Sequence, residues 1–73
     1  MLKKRSVSLS GHATSVALEP EFWIVLDGLA TERGLTRAAL LAWIDANRGR
    51  RPLASACRLL ALETAAGTSK TTD

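Results

Sequence analysis

Cysteine, histidine and large aromatic residues are scarce in this 73-residue chain, which has one Cys, one His, one Phe, two Trp and no Tyr. The single Cys57 excludes a disulfide within the chain. His12 stands alone and far from Cys57 in sequence, so no Cys/His metal site is expected. No apolar run approaches the ~20 residues that span a bilayer. The basic start Met1-Leu2-Lys3-Lys4-Arg5 is followed by polar residues rather than by the apolar core of a signal peptide. A lone cysteine and no export signal point to the reducing cytoplasm. A Gly-rich phosphate loop is missing, and so is a His–acid pair that would activate Thr14 or Ser15. Neither catalysis nor a cofactor is therefore expected.

What remains is enough for one small domain. A chain of this length buries little apolar surface alone and needs disulfides, metal or oligomerisation to become stable. With the first two excluded, oligomerisation is left, and a 47% apolar content leaves apolar surface for a subunit interface. The net charge is only +3. It is unevenly placed, with Lys3, Lys4 and Arg5 at the start, Arg48, Arg50 and Arg51 further on, and the acids Glu19, Glu21, Asp27 and Glu32 between them. Two separated basic clusters suit a polyanion or an ordinary solvated surface.

From Ser6 to Leu18 the apolar residues alternate, with Val7 and Leu9 on one parity and Thr14, Val16 and Leu18 on the other. The run Ala13 to Leu18 is the better strand, with Val16 and Leu18 facing a core and Ala13, Ser15 and Ala17 facing outward. Ser10-Gly11-His12 reads as a break. Glu19-Pro20-Glu21 opens a helix, because proline at the first helical position sacrifices no needed N–H and acids favour the positive dipole end. Leu18 and Trp23 take the staple positions around that start. Phe22, Leu26, Leu29 and Ala30 form its apolar stripe, and Gly34 ends it. Thr36 is the N-cap of a second helix whose face carries Leu40, Trp43, Ile44 and Asn47, with Leu41 beside them. Pro52 starts a short third helix with Leu53, Ala56, Cys57 and Leu60 inward. Residues 1–66 read as one domain, and 67–73 as a small, polar, disordered tail. The class is thus mainly α with one short strand. A single strand leaves its backbone groups unpaired, so the same strand of a second copy is expected to complete a two-stranded antiparallel ribbon.

The string Gly11-His12-Ala13-Thr14-Ser15-Val16-Ala17-Leu18-Glu19-Pro20-Glu21-Phe22-Trp23 resembles the opening of a group of short bacterial ribbon-helix-helix proteins. The resemblance continues through Ala30–Thr36, Ile44-Asp45 and Leu53–Leu59, and covers nearly everything from Ser6 to Glu63. It implies an intertwined homodimer that binds double-stranded DNA as a transcription regulator, with its β-ribbon in the major groove. In that pattern the outward strand residues read bases, which maps onto Ala13, Ser15 and Ala17. The start of the second helix holds a phosphate, which maps onto Thr36 and Arg37, and such a helix start also suits an anion on physical grounds. Lys3, Lys4, Arg5 and His12 are expected to add phosphate contacts. The position of Ala13 is commonly basic in this pattern. Ala-Ser-Ala offers at most a methyl contact and a hydroxyl hydrogen bond to bases, never a fork onto guanine.

Val16, Leu18, Phe22, Trp23, Leu26, Leu40, Trp43 and Ile44 are expected in the core or the dimer interface. Cys57 is expected as a buried small hydrophobe, and Arg58 either pairs with an acid such as Asp45 or touches DNA. His12 either meets phosphate or supports the turn. Two functions remain open: a DNA-binding regulator, favoured by the basic clusters, and a dimeric protein-interaction module on the same fold, favoured by Ala13.

Overall fold

The computed structural model describes residues 1–67. Strand β1 (Lys3–Leu9) and strand β2 (His12–Leu18) form an antiparallel pair, followed by helices α1 (Pro20–Glu32), α2 (Arg37–Asn47) and α3 (Leu53–Ala65). This is the expected ribbon-helix-helix order with the expected third helix. The ribbon differs in one respect: both of its strands come from the same chain, whereas one strand per chain was expected.

The reason lies at Ser10 and Gly11. Their φ values are 52° and 81°, so both central residues of the connection are left-handed. That is the type I′ geometry, whose twist matches a two-residue hairpin. The register runs from Lys3↔Leu18 through Ser6↔Ser15 to Leu9↔His12, so odd positions of β1 face even positions of β2. The change of apolar parity across Gly11 is therefore the mark of a two-residue turn. Counting outward from the turn, the Leu9–His12 pair is hydrogen-bonded and the pairs alternate thereafter. The backbone groups of Ala13, Ser15 and Ala17 thus point away from β1, along the open edge of β2.

The helices cover one face of the hairpin, with α2 against β1 and α3 against β2. Val7, Leu9, Val16 and Leu18 contribute to the core from that face. Glu19 is the N-cap of α1 with Pro20 at its first position. The helix ends in a Schellman arrangement, in which Gly34 is left-handed (φ 71°), Leu35 N–H donates to the Ala30 carbonyl at 2.7 Å and Gly34 N–H to Thr31 at 3.0 Å. Two residues later the Thr36 hydroxyl accepts from Ala39 N–H at 3.0 Å and starts α2. These two caps leave almost no loop between α1 and α2, which fixes the angle of α2 against the ribbon.

Leu18, Trp23, Leu26, Leu40, Leu41 and Cys57 are the largest fully buried side chains, joined by Val16 and Ile44. Two expected core residues stand apart. Phe22 is only partly buried, because Trp23, one position round the helix, occupies the centre of the stripe. The indole can do so because its N–H donates to the Lys3 carbonyl at 2.7 Å, which satisfies its only polar atom. Trp43 is 47% exposed and lies outside the core of the chain. Ile44 and Leu40 take the inward side of α2 instead. The expectation of a disordered tail falls, from residue 68 onward, outside the described residues.

Candidate nucleic-acid interface

The hairpin face turned away from the helices is built from the other parity. It carries Lys4, Ser6 and Ser8 from β1, opposite Ala17, Ser15 and Ala13 from β2. All are exposed except Ala17, which is half-buried. Ala13, Ser15 and Ala17 therefore point where the sequence placed them. Ser6 and Ser8 join them, and they were missed because β1 was not recognised as the partner strand. The face is small, flat and polar, with one charge. Each of the three hydroxyls can donate one hydrogen bond and also accept, and Lys4 is the one side chain on the face able to contact two guanine acceptors at once.

The basic residues of the N-terminus divide between the two faces. Lys4 lies on the outer face, and Lys3 is exposed at the open end of the hairpin on the other parity. Arg5 faces the helices. Its guanidinium carbon sits 5.5 Å from the Trp23 ring centroid, and its Nε is buried with no hydrogen-bond partner among the described residues. Arg5 is thus part of the packing under the ribbon. His12 is exposed beside the turn, opposite Leu9.

Arg37 approaches the same indole, at 5.7 Å from the centroid. Its Nε and Nη2 donate to the two carboxylate oxygens of Asp27, each at 2.8 Å. The fork holds the Asp27 carboxyl below its ordinary range and raises Arg37 above its own. One unit made of Arg5, Trp23, Arg37 and Asp27 therefore ties the start of β1, the middle of α1 and the first turn of α2 together. It sets the basic N-terminal segment and the start of α2 in fixed relation. The Thr36 hydroxyl is occupied by Ala39, while the N–H groups of Arg37 and Ala38 lie in the first turn, where helices have no internal acceptor.

The remaining pairs are structural. Arg58 donates to Glu19 at 2.9 Å, which depresses the Glu19 carboxyl, and its guanidinium lies 5.9 Å from the Phe22 centroid. Asp45, the acid suggested for Arg58, instead accepts from Arg48 Nε at 2.7 Å. Arg48 also donates to the Arg51 carbonyl at 2.8 Å, which rigidifies the basic α2–α3 turn and leaves Arg50 and Arg51 exposed. Burial pushes the Cys57 thiol up to about 11. Among the described residues no three His, Cys, Asp or Glu side chains group as a metal site. No described helix is long and apolar enough to cross a membrane.

No curated protein and no solved structure matches the chain. The family model for the ribbon-helix-helix domain matches residues 2–65. Domains of this family generally form dimers, bind DNA and act as transcription regulators, and they are not normally enzymes. With the hairpin, the helix order and a match over almost the whole sequence, the chain belongs to the ribbon-helix-helix domain family.

Proposed function

We propose that the chain is a small cytoplasmic, homodimeric transcription regulator that lays the outer face of its hairpin into the DNA major groove. The observation that carries this reading is the outer face itself: two paired strands, free of helices and of large apolar side chains, with Lys4 on it and Lys3 beside it at the open end of the hairpin on the other parity. The major groove admits a two-stranded ribbon of this kind. Ser15 and the serines of β1 supply single hydrogen bonds to base edges, and Ala13 and Ala17 supply methyl contacts. Lys3, Lys4, His12 and the first N–H groups of α2 meet phosphates. Arg5 and Arg37 act as positioning residues, because Arg37 is engaged by Asp27 and Arg5 is packed on Trp23.

With so few base-reading groups, phosphate contacts dominate. Log affinity for duplex DNA should then fall with log salt by about 0.9 per phosphate neutralised. Replacing Lys3 and Lys4 with alanine should flatten that slope and weaken all duplexes alike. Binding that is indifferent both to salt and to the two lysines would favour the protein-interaction reading, which the small side chain of Ala13 on the outer face supports.

A further inference from the structure

Asp27 stands among cations beside the start of α2. Its two carboxylate oxygens accept from Arg37 Nε and Nη2, each at 2.8 Å. Arg5 is close enough to hold the Asp27 carboxyl down as well, and its own Nε is buried without a hydrogen-bond partner among the described residues. Both guanidinium groups lie over the Trp23 ring, at 5.5 and 5.7 Å from its centroid. The cluster therefore carries one net positive charge with the acid in place and would carry two without it. The fork is accessible from solvent, since both side chains are 38% exposed. It also has a close chemical equivalent, because carboxylates and phosphates occupy the same two parallel N–H donors of a guanidinium.

We propose that Asp27 is an internal competitor of the DNA phosphate for Arg37, and that it holds the affinity of the chain for duplex DNA below what its cations would otherwise give. This rests on the regulator reading above and adds to it an acid that sets the strength of the same surface. Arg37 is the first residue of α2, and the N–H groups of such a turn lack internal acceptors. A phosphate held there would be separated from the Asp27 carboxylate by little more than the length of one arginine side chain. That is comparable to the ~8 Å over which charges are screened at physiological salt. Two effects then oppose binding. The guanidinium that could fork onto the phosphate is already taken, and the carboxylate that takes it repels the phosphate. A purely structural pair would act with the opposite sign: removing the acid would loosen the start of α2 and weaken DNA binding. The exposure of the pair favours competition, because an exposed ion pair adds little to stability, whereas its charge is in full view of an approaching polyanion. Asp45 provides the contrast. It pairs with Arg48 at 2.7 Å near the other end of α2, where the regulator reading places no phosphate.

The test is the affinity of the full chain for a short random-sequence duplex, measured by fluorescence anisotropy across a salt series, with the fold checked by circular dichroism. Asp27→Asn is expected to bind about tenfold more tightly, the lower end for a hydrogen bond to a charged group, although the lost pair lowers stability. Its plot of log affinity against log salt should steepen by about 0.9 for each phosphate gained. Combining Asp27→Asn with Arg37→Ala should abolish that gain, because no guanidinium is then released. Asp45→Asn, which changes the net charge equally, should stay within about twofold of the wild type. Asp27→Ser removes the same carboxylate by another route, so the comparison holds if one variant fails to fold. The proposal is overturned if the folded Asp27 variants bind as the wild type does or more weakly, if the double variant keeps the gain, or if Asp45→Asn matches it. In each of those cases salt-dependent binding by the wild type leaves the regulator reading standing. Duplex binding by neither the wild type nor Asp27→Asn contradicts the regulator reading itself and removes the competitor with it.

Discussion

Asp27 holds both forks of Arg37 while each partner stays more than a third exposed, so its contribution is real but screened. Its carboxyl is depressed in the folded chain relative to an ordinary value of 3.8. A depressed acid contributes stability that is present above its unfolded pKa and lost as pH falls through the folded one. Asp27→Asn should therefore lower the urea midpoint at pH 7 and have almost no effect near pH 2; an equal effect at both would remove the ion pair from the account. Packing separates two neighbouring residues more sharply. Leu26→Ala, which opens a cavity at a 1% exposed site, should cost about 2–5 kcal/mol in denaturant unfolding. Phe22→Ala, at the half-buried margin beside Arg58, should cost visibly less. The stripe on α1 was legible from its spacing, but which of two adjacent aromatics takes the centre was not. That depended on an acceptor for the indole, the Lys3 carbonyl, 20 residues away in sequence. The outward set Ala13, Ser15 and Ala17 was legible, because strand alternation needs no knowledge of the partner. The packing of Arg5 on the indole and the pairing of Arg37 with Asp27 were not legible, since sequence charge does not reveal a packed ring or a facing carboxylate.

The hairpin turn carries a weak choice of residue. Type I′ turns favour Asn-Gly, and here Ser10 adopts a positive φ that serine rarely takes. Ser10→Asn should raise the thermal midpoint by a few degrees, and Gly11→Ala should lower it, through a penalty of roughly 1–2 kcal/mol for a left-handed residue with a Cβ. If Gly11→Ala proved neutral in thermal unfolding, the turn would not have the two-residue form described. This same turn explains why the second strand was missed. Serine is a poor advertisement for type I′ geometry, so Ser10-Gly11-His12 looked like an interruption, although the parity change across it pointed to a two-residue connection. The helix ends were easier, because Pro20, Gly34, Thr36 and Pro52 act through local backbone chemistry that needs no tertiary context. On the outer face of the hairpin, Ala13→Arg should add a forked donor. Selection from random duplexes should then show about 1–3 kcal/mol more discrimination at one base pair per half-site. An unchanged preference would place the base contacts on another surface.

For the whole molecule, the intrachain ribbon changes the argument for assembly. A strand that finds its partner at home no longer compels dimerisation, and the demand passes to the exposed apolar side chains of all three helices, Ile24, Trp43, Leu59 and Leu62, and to the small size of the core. Stability should then rise with protein concentration, because association that favours the folded state adds to it by mass action. Cys57 offers a direct way to watch this. It is the only thiol in the chain, it is 0% exposed on the inner side of α3, and its pKa of about 11 leaves little thiolate at neutral pH. A disulfide reagent can therefore reach it only when α3 leaves the core, and the labelling rate divided by that of an unfolded thiol gives the opening equilibrium constant. If association favours the folded chain, each tenfold dilution across the dissociation range should speed labelling, whereas a chain that stays monomeric should label at one concentration-independent rate. The chain carries a built-in clock for its own opening.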